Sequence, residues 1–172
     1  MTTESAPESK FTAIAERITK MTEVDQDMRV RNLEDDTHWD DSVDKTNTQA
    51  MRAIIAEIGW PTITKVGEPA SFNAWLLVQH ADHDPIFQKA CLELMKQAGA
   101  GEVLPENIAY LEDRVAVNHG QPQVYGTQLE QQDGKFVPRP TIDSANVNAR
   151  RQSIGLSTIE EYLARVEEKY AR

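Results

Sequence analysis

The sequence predicts a mainly α-helical protein with one small β-hairpin. Apolar residues recur at helical spacing through most of the chain, and one short stretch interrupts that spacing with a turn signal. The signal is Asp133-Gly134, followed by Phe136-Val137, which is typical of a two-residue hairpin turn. We therefore predict a hairpin between the fourth or fifth helix and the C-terminal helices.

The length of 172 residues fits one domain with a substantial core. Residues 1–9 are small, polar and contain a proline, so we predict a disordered N-terminal tip. Helical spacing begins with Phe11, Ile14 and Ile18. We predict that residues 10–172 form a single globular helical domain.

Start and stop signals divide the middle of the chain into helices. Helical spacing resumes at Met51 and ends at Gly59, which suits a C-terminal cap. Ser71 is predicted to begin a central helix that is apolar on several sides and carries residues 79–82, and a bend near Asp84 is predicted to follow it. The Asp-Pro pair is typical of an N-cap followed by a first-turn proline, and Pro105 starts the next helix in the same way.

The C-terminal third combines strand and helix signals. Residues 123–128 alternate in a way that predicts a strand with two polar faces. Asp143 is predicted to cap a helix, and Gly155 to separate it from the last helix. The pattern Ser157-Thr158-Ile159-Glu160 is typical of a capping box.

Composition excludes several classes of function. The chain has 28 acidic and 18 basic residues and a formal charge of −10, which disfavours nucleic acid and anionic membranes as partners. The single cysteine, Cys91, excludes an intramolecular disulfide and a Cys-rich zinc site. With no predicted membrane span or secretory signal, we expect a soluble, cytoplasmic protein. The acidic stretch from Asp25 to Asp44 is interpreted as solvated surface.

The polar cluster Gln79-His80-Ala81-Asp82 follows the most hydrophobic helical stretch of the chain. Buried polar groups need hydrogen-bond partners, so the cluster indicates either a structural network or a reactive pocket. His80 suits general acid–base catalysis because its pKa ordinarily lies near neutrality. The alternative is a histidine whose hydrogen bonds serve only the core.

A metal site is the less favoured interpretation of the same region. His80, Asp82, His83 and Asp84 are suitable ligand types, but their spacing matches no established motif. We therefore predict no cofactor and retain a divalent metal as the alternative.

Further candidate residues lie downstream. Asp113 and Arg114 could orient polar groups and bind a carboxylate or phosphate, or form an ion pair between helices. Tyr125 could donate a proton, or be part of a polar edge strand. Of Arg150 and Arg151, one could bind an anion while the other pairs with an acidic neighbour; surface charge is the alternative.

Four motifs occur in order: Gln79-His80-Ala81-Asp82, Asp113-Arg114-Val115, Tyr125-Gly126-Thr127-Gln128, and Arg150-Arg151 before Gly155-Leu156. Over roughly residues 50–170 this set resembles an uncharacterised bacterial domain family. The resemblance implies no known reaction, but it implies that the motif residues belong together.

Two hypotheses follow. The first is a small enzyme that performs hydrolysis or elimination on a small anionic molecule. His80 would transfer a proton, Asp82 or Asp113 would orient it, and Tyr125 would assist. The substrate would be bound by Gln79, Arg114, Gln128, Arg150 and Arg151. The second is a non-catalytic ligand-binding or interaction module in which the same residues form a structural network.

Overall fold

The computed structural model describes residues 9–34, 37 and 39–170, and the predicted mainly α fold with one small hairpin is confirmed. Residues 1–8 of the predicted disordered tip lie outside the described residues. The chain divides into two compact units, one formed by residues 1–83 and 97–103 and the other by residues 84–96 and 104–172. The prediction of one domain over residues 10–172 stays a prediction.

The first unit contains four helices, α1 Lys10–Glu34, α2 Asp41–Ile58, α3 Ile63–Val66 and α4 Glu68–Gln79. Helix α4 contacts each of the other three helices. Its sequence is apolar on several sides, and Ala74, Leu77 and Val78 are all fully or almost fully buried. The prediction that this helix is central is therefore correct for the first unit.

Local signals fix most helix ends of this unit. Asp40 caps α2 by accepting a hydrogen bond from the Ser42 N–H at 2.8 Å, and Gly59 follows α2 with a positive φ of 70°. Helix α4 begins at Glu68, three residues before the predicted Ser71, because Pro69 occupies a first-turn position that needs no N–H donor.

The second unit contains four helices, one short 3₁₀ helix and two strands: α5 Pro85–Gln97, α6 Pro105–Asn118, β1 Leu129–Gln132, β2 Lys135–Pro138, the 3₁₀ helix Ser144–Asn146, α7 Val147–Ser153 and α8 Ile159–Tyr170. The last residue of α5, Gln97, belongs to the first unit. The strands pair antiparallel, with Leu129 opposite Pro138. Helix α8 contacts β2 and α7.

Two predicted signals of the second unit are confirmed. Asp84 Oδ1 accepts a hydrogen bond from the Phe87 N–H at 3.0 Å and so acts as the N-cap of α5. Asp133 and Gly134 both have positive φ, 51° and 77°, as a type I′ hairpin turn requires.

Two other signals are displaced. The capping box of α8 is formed by Thr158 and Glu161, whose side chains each accept a bond from the other's N–H, and not by Ser157 and Glu160. Asp143 precedes the 3₁₀ helix but makes no side-chain cap, and its carboxylate accepts a bond from Asn146 instead.

Among the helices of the described residues, none combines the length and the apolar character that a membrane span requires.

Candidate functional site

The first unit contains a compact group of ionisable side chains, which we call the acid–base cluster: Asp25, Arg29, Asp44 and His80. Asp25 and Arg29 lie on α1, and Asp44 lies near the start of α2. Asp25 lies seven positions after Ile18, which places both on the same face of α1, and both side chains are fully buried. The buried face of α1 therefore includes a carboxylate.

His80 enters this cluster because α4 ends before it. The helix stops at Gln79, and His80 adopts φ −88° and ψ 0°, with its N–H bonded to the Leu76 carbonyl. Residues 82 and 83 then form a turn before α5. The prediction that this helix carries the whole cluster of residues 79–82 is wrong, because only Gln79 is helical, and the earlier end places the imidazole beside α1.

The central contact joins His80 to Asp25. The Nδ1 atom of His80 lies 3.0 Å from both carboxylate oxygens of Asp25. Arg29 Nε lies 3.3 Å from the same two oxygens and 3.0 Å from His80 Nδ1. Thus an imidazole and a guanidinium converge on one buried carboxylate.

The two contacts with Asp25 favour the proton at Nδ1, and the contact with the Arg29 Nε–H opposes it. An unprotonated Nδ1 would direct its lone pair at two carboxylate oxygens, and this contact is repulsive. A protonated Nδ1 donates to Asp25, and the Arg29 Nε–H then donates to the same carboxylate at 3.3 Å. An unprotonated Nδ1 would instead accept the Arg29 Nε–H at 3.0 Å, but it would face both carboxylate oxygens. In the neutral ring a proton on Nδ1 leaves the lone pair on Nε2, the atom that could accept a proton from a substrate.

The two carboxylates of the cluster have opposite pKa shifts. Burial acts to raise the pKa of Asp25, but the hydrogen bond and charge of His80 and the hydrogen bonds of Arg29 and Gln26 outweigh it, and the pKa falls to about 2. At Asp44 burial prevails and raises the pKa, although Arg29 Nη2 donates to Asp44 Oδ1 at 2.6 Å.

Asp25, Asp44 and His80 also offer one ligand atom each within 4.8 Å of one another, so among the described residues they form a group that could hold a metal ion. Arg29, however, bonds both carboxylates. A divalent cation would have to compete with this guanidinium for the same oxygens, which weakens the case for a metal.

Sequence reasoning missed three members of the cluster. Asp25 and Asp44 belong to the acidic stretch that was interpreted as solvated surface, and this interpretation is wrong for both because their side chains are 0% and 12% exposed. The signal that could have found Asp25 is its helical spacing from Ile18. Nothing comparable distinguishes Arg29 from other charged residues of α1.

Of the predicted residues near His80, Gln79 is buried and Asp82 is exposed. The carboxylate that bonds His80 Nδ1 is that of Asp25. Asp25 therefore has the orienting role that was predicted for Asp82 or Asp113. His83 is exposed and is not a member of the candidate metal group.

The second unit contains a different polar arrangement, centred on Asp113 of α6. The carboxylate is fully buried and accepts hydrogen bonds from the N–H groups of Val124, Tyr125 and Thr127 and from the Thr127 hydroxyl, at 2.7–3.2 Å. Residues 123–128 therefore form a loop wrapped around a carboxylate, and the predicted strand at this position is wrong.

Two glutamines complete this loop. Gln123 is fully buried, and its side-chain amide makes two hydrogen bonds with the backbone of Gln128. Its Nε2 donates to the Gln128 carbonyl and its Oε1 accepts from the Gln128 N–H, both at 2.9 Å. The Gln128 side chain accepts a bond from Arg114 Nη1 at 3.2 Å.

Arg151 on α7 holds the loop from another side. Its guanidinium is fully buried, donates to the carbonyls of Tyr125 at 2.7 Å and Ser157 at 2.6 Å, and lies over the Tyr162 ring at 5.1 Å. A charge bonded to two carbonyls and an aromatic face is well satisfied within the fold.

Arg150 makes similar contacts nearer the surface. It donates to the carbonyls of Val124, Ile142 and Asp143. The Tyr125 side chain is half-buried, and burial, together with the charges of Glu112 and Asp113, raises the pKa of its hydroxyl.

The predicted site residues therefore fall into two groups. Gln79, His80 and Asp82 lie in the first unit. The second unit contains Asp113, Arg114, Tyr125, Gln128, Arg150 and Arg151, most of which are engaged by the 123–128 loop.

Comparison with family models identifies the family of the chain. A model of a family of unknown function, DUF6624, matches residues 12–172. The chain belongs to this family. The match extends beyond the 50–170 region of the predicted resemblance and includes α1, which carries Asp25 and Arg29. No curated protein and no solved structure matches the chain.

Proposed function

We propose that the chain is an enzyme that uses His80 as a general acid and base in hydrolysis or elimination of a small anionic molecule. The observation that carries the proposal is the contact of His80 Nδ1 with the buried carboxylate of Asp25 at 3.0 Å. A carboxylate on one ring nitrogen fixes the tautomer and orientation of the ring and stabilises the imidazolium that forms when the other nitrogen accepts a proton.

The burial of the pair supports the same function. Asp25 is inaccessible to water, whereas the His80 side chain is 16% exposed. The Asp25 carboxylate also accepts hydrogen bonds from Arg29 and Gln26. Because only His80 of the pair is accessible, it is the member that can contact a substrate. Among the described residues, no protein atom bonds the Nε2 atom of His80.

Charge bears on the choice of substrate. With His80 neutral, the cluster holds two carboxylates and one guanidinium and repels anions. Protonation of His80 makes the cluster neutral overall and gives an Nε2–H that can donate to a phosphate or carboxylate. We therefore propose that an anionic substrate binds the imidazolium form and that Nε2 delivers its proton to the leaving group. A cytoplasmic location is part of the proposal.

The proposal is tested by incubating the protein with a small-molecule extract and following the metabolites by mass spectrometry. The variants are His80→Gln and Asp25→Asn, and His83→Gln is the matched control because His83 is exposed and close in sequence. We expect an anionic metabolite to be consumed by the wild type and by His83→Gln. Loss of the acid–base group should slow turnover about 100-fold or more in His80→Gln.

Equal turnover by the wild type and folded His80→Gln would refute catalysis by His80. Thermal unfolding of each variant separates lost chemistry from lost structure. Turnover lost in His80→Gln but unchanged in folded Asp25→Asn would leave the histidine as catalyst and reject the role of Asp25.

A second candidate function, a non-catalytic ligand-binding or interaction module, is favoured by the second unit. The buried Asp113 is fully engaged by residues 124–127, as expected of a network that specifies a fold. If wild-type protein consumes no metabolite but is stabilised by one in thermal-shift screening, the module is the better description.

A further inference from the structure

The second unit contains a groove beside α8 whose lining includes no residue of the acid–base cluster. The groove has a cavity volume of about 690 Å³ and is lined by the hairpin strands and by one face of α8. This volume lies within the range of about 300–1,000 Å³ that is typical of small-molecule sites. Its lining includes four aromatic rings and two cationic side chains.

The charge of the groove is opposite to that of the chain. Arg165 and Lys169 line it, and its lining includes no carboxylate, whereas the chain has a formal charge of −10. These two residues lie one turn apart on the helix face that also carries Tyr162, and the glutamates of α8 occupy other positions. The helix thus concentrates positive charge at the groove.

Both cations are available to a ligand. Arg165 donates to the Ser157 hydroxyl at 2.6 Å, and Lys169 lies 5.7 Å from the centre of the Tyr170 ring. Within the described part of the chain, neither forms an ion pair with a carboxylate. Cations without an acidic partner beside a concave surface are suited to an anionic group.

Aromatic rings form the rest of the recognition surface. Phe136 and Tyr170 lie 5.4 Å apart between ring centres, and Tyr110 and Tyr162 meet edge to face at 6.3 Å. The Tyr162 hydroxyl donates to the Thr127 carbonyl at 2.9 Å, which fixes that ring in place. Tyr170 is 50% exposed, so one of its faces can receive a planar group.

We infer that this groove binds a small molecule that has a flat aromatic or heteroaromatic ring and an anionic group. The ring lies against Tyr170 and Phe136, and the anion is bound by Lys169 and Arg165. The inference does not depend on the proposed function, since it involves no residue of the acid–base cluster.

Calorimetry of the full chain tests the inference with three probes: 1-naphthyl phosphate, 1-naphthol and inorganic phosphate. We expect 1-naphthyl phosphate to bind at least about 10-fold more tightly than either other probe, because it alone uses both halves of the groove. Its affinity should fall as salt increases, since exposed charges are screened.

Three variants locate the binding. Lys169→Gln and Arg165→Gln should each weaken 1-naphthyl phosphate at least about 5-fold and leave 1-naphthol almost unchanged, because each removes one charge-assisted contact. Tyr170→Leu should weaken both ring compounds. Lys89→Gln is the matched control, because Lys89 is exposed in the same unit and does not line the groove.

The inference is overturned if 1-naphthyl phosphate fails to bind at millimolar concentration, or binds no more tightly than 1-naphthol. It is also overturned if none of the three groove variants changes the affinity more than Lys89→Gln does. The variants replace exposed side chains, so they should fold, and circular dichroism verifies this.

Discussion

Asp25 and His80 are 55 positions apart in the sequence, and the Asp25 carboxylate lies 3.0 Å from the imidazole Nδ1. One residue belongs to the buried face of α1, and the other follows the last turn of α4. Because α1 packs on α4, the acidic stretch of the sequence supplies the partner of the only histidine in the predicted motifs. The pairing of the two residues is therefore a product of helix packing, although the helical spacing of Asp25 from Ile18 indicates that Asp25 is buried.

The tautomer of His80 should depend on Asp25. In wild-type protein at a pH where His80 is neutral, we expect the proton on Nδ1, because Nδ1 faces the carboxylate. Asn in place of Asp25 removes the negative charge that holds this proton, so the Nε2–H form should gain population. Long-range ¹H–¹⁵N NMR spectra of the imidazole report the two forms. An Nε2–H tautomer in the wild type would contradict the proton assignment.

Stability in acid should depend on Asp25. Its pKa is about 2 in the folded state and 3.8 ordinarily, so its contribution is complete above about pH 4 and is lost as the pH falls towards 2. In Asp25→Asn this loss is absent. Urea unfolding between pH 2 and 6 should therefore show a smaller decrease in unfolding free energy for Asp25→Asn than for wild type, and identical decreases would contradict the shift.

Asp44 should affect stability in acid in the opposite direction to Asp25. Its pKa is raised in the folded state, so its favourable contribution is complete at low pH and is lost as the pH rises through the folded-state pKa. Removal of this group in Asp44→Asn should make the loss of stability in acid steeper than in wild type. The same urea series measures this difference, and a shallower decrease would contradict the direction at Asp44.

Asp113 should be a stability residue of the second unit. Asn at this position places an NH₂ group among N–H and O–H donors, so at least one buried donor loses its acceptor. We expect Asp113→Asn to lower the free energy of unfolding by about 2–4 kcal/mol. Chemical denaturation measures the change.

Glu112→Gln is the matched control for Asp113, because Glu112 is adjacent and pairs only with Lys96 near the surface in the described residues. Its effect should be within about 0.5 kcal/mol. Equal losses in the two variants would mean that the loop around Asp113 adds little stability.

Gly126 should tolerate no side chain. Its φ is +69°, and a Cβ atom there would lie 3.1 Å from Ile159 Cδ1. Gly126→Ala should therefore cost backbone strain plus a steric term, together about 2–3 kcal/mol. Gly134→Ala is the control, since Gly134 has a φ of +77° and no neighbour within 4 Å, and it should cost only the strain, about 1 kcal/mol.

The steric part of this prediction is isolated by Ile159→Val, which removes the Cδ1 atom. The loss in Gly126→Ala with Ile159→Val should be smaller than the sum of the two single losses by about 1 kcal/mol, as measured by a double-mutant cycle. Additive losses would show that the Ile159 contact is relieved by other movements.

Local chemistry made the fold predictable where one residue type suits one backbone position. The Asp84-Pro85 start of α5 and the Asp133-Gly134 turn were predicted because an N-cap carboxylate and a positive φ have strong residue preferences. The capping box was displaced by one residue because adjacent Ser157 and Thr158 both suit the cap. Thr158 forms it, whereas the Ser157 hydroxyl accepts a bond from Arg165.

The 123–128 loop was mistaken for a strand for a different reason. Its alternating side chains are typical of a strand, yet its N–H groups bond the Asp113 carboxylate, which lies at least 11 positions away in the sequence. A charged acceptor outside the segment replaced the neighbouring strand that alternation normally indicates.

The sequence by itself determined the mainly helical class and the hairpin turn, because these depend on local preferences, and it also indicated the family; His80 stays a predicted site residue. Only the tertiary structure decided which carboxylate meets His80 and that Asp113 meets a backbone loop. The physical reason is that a carboxylate can be solvated, paired with a cation or bonded to N–H groups, and its surroundings after packing select among these states.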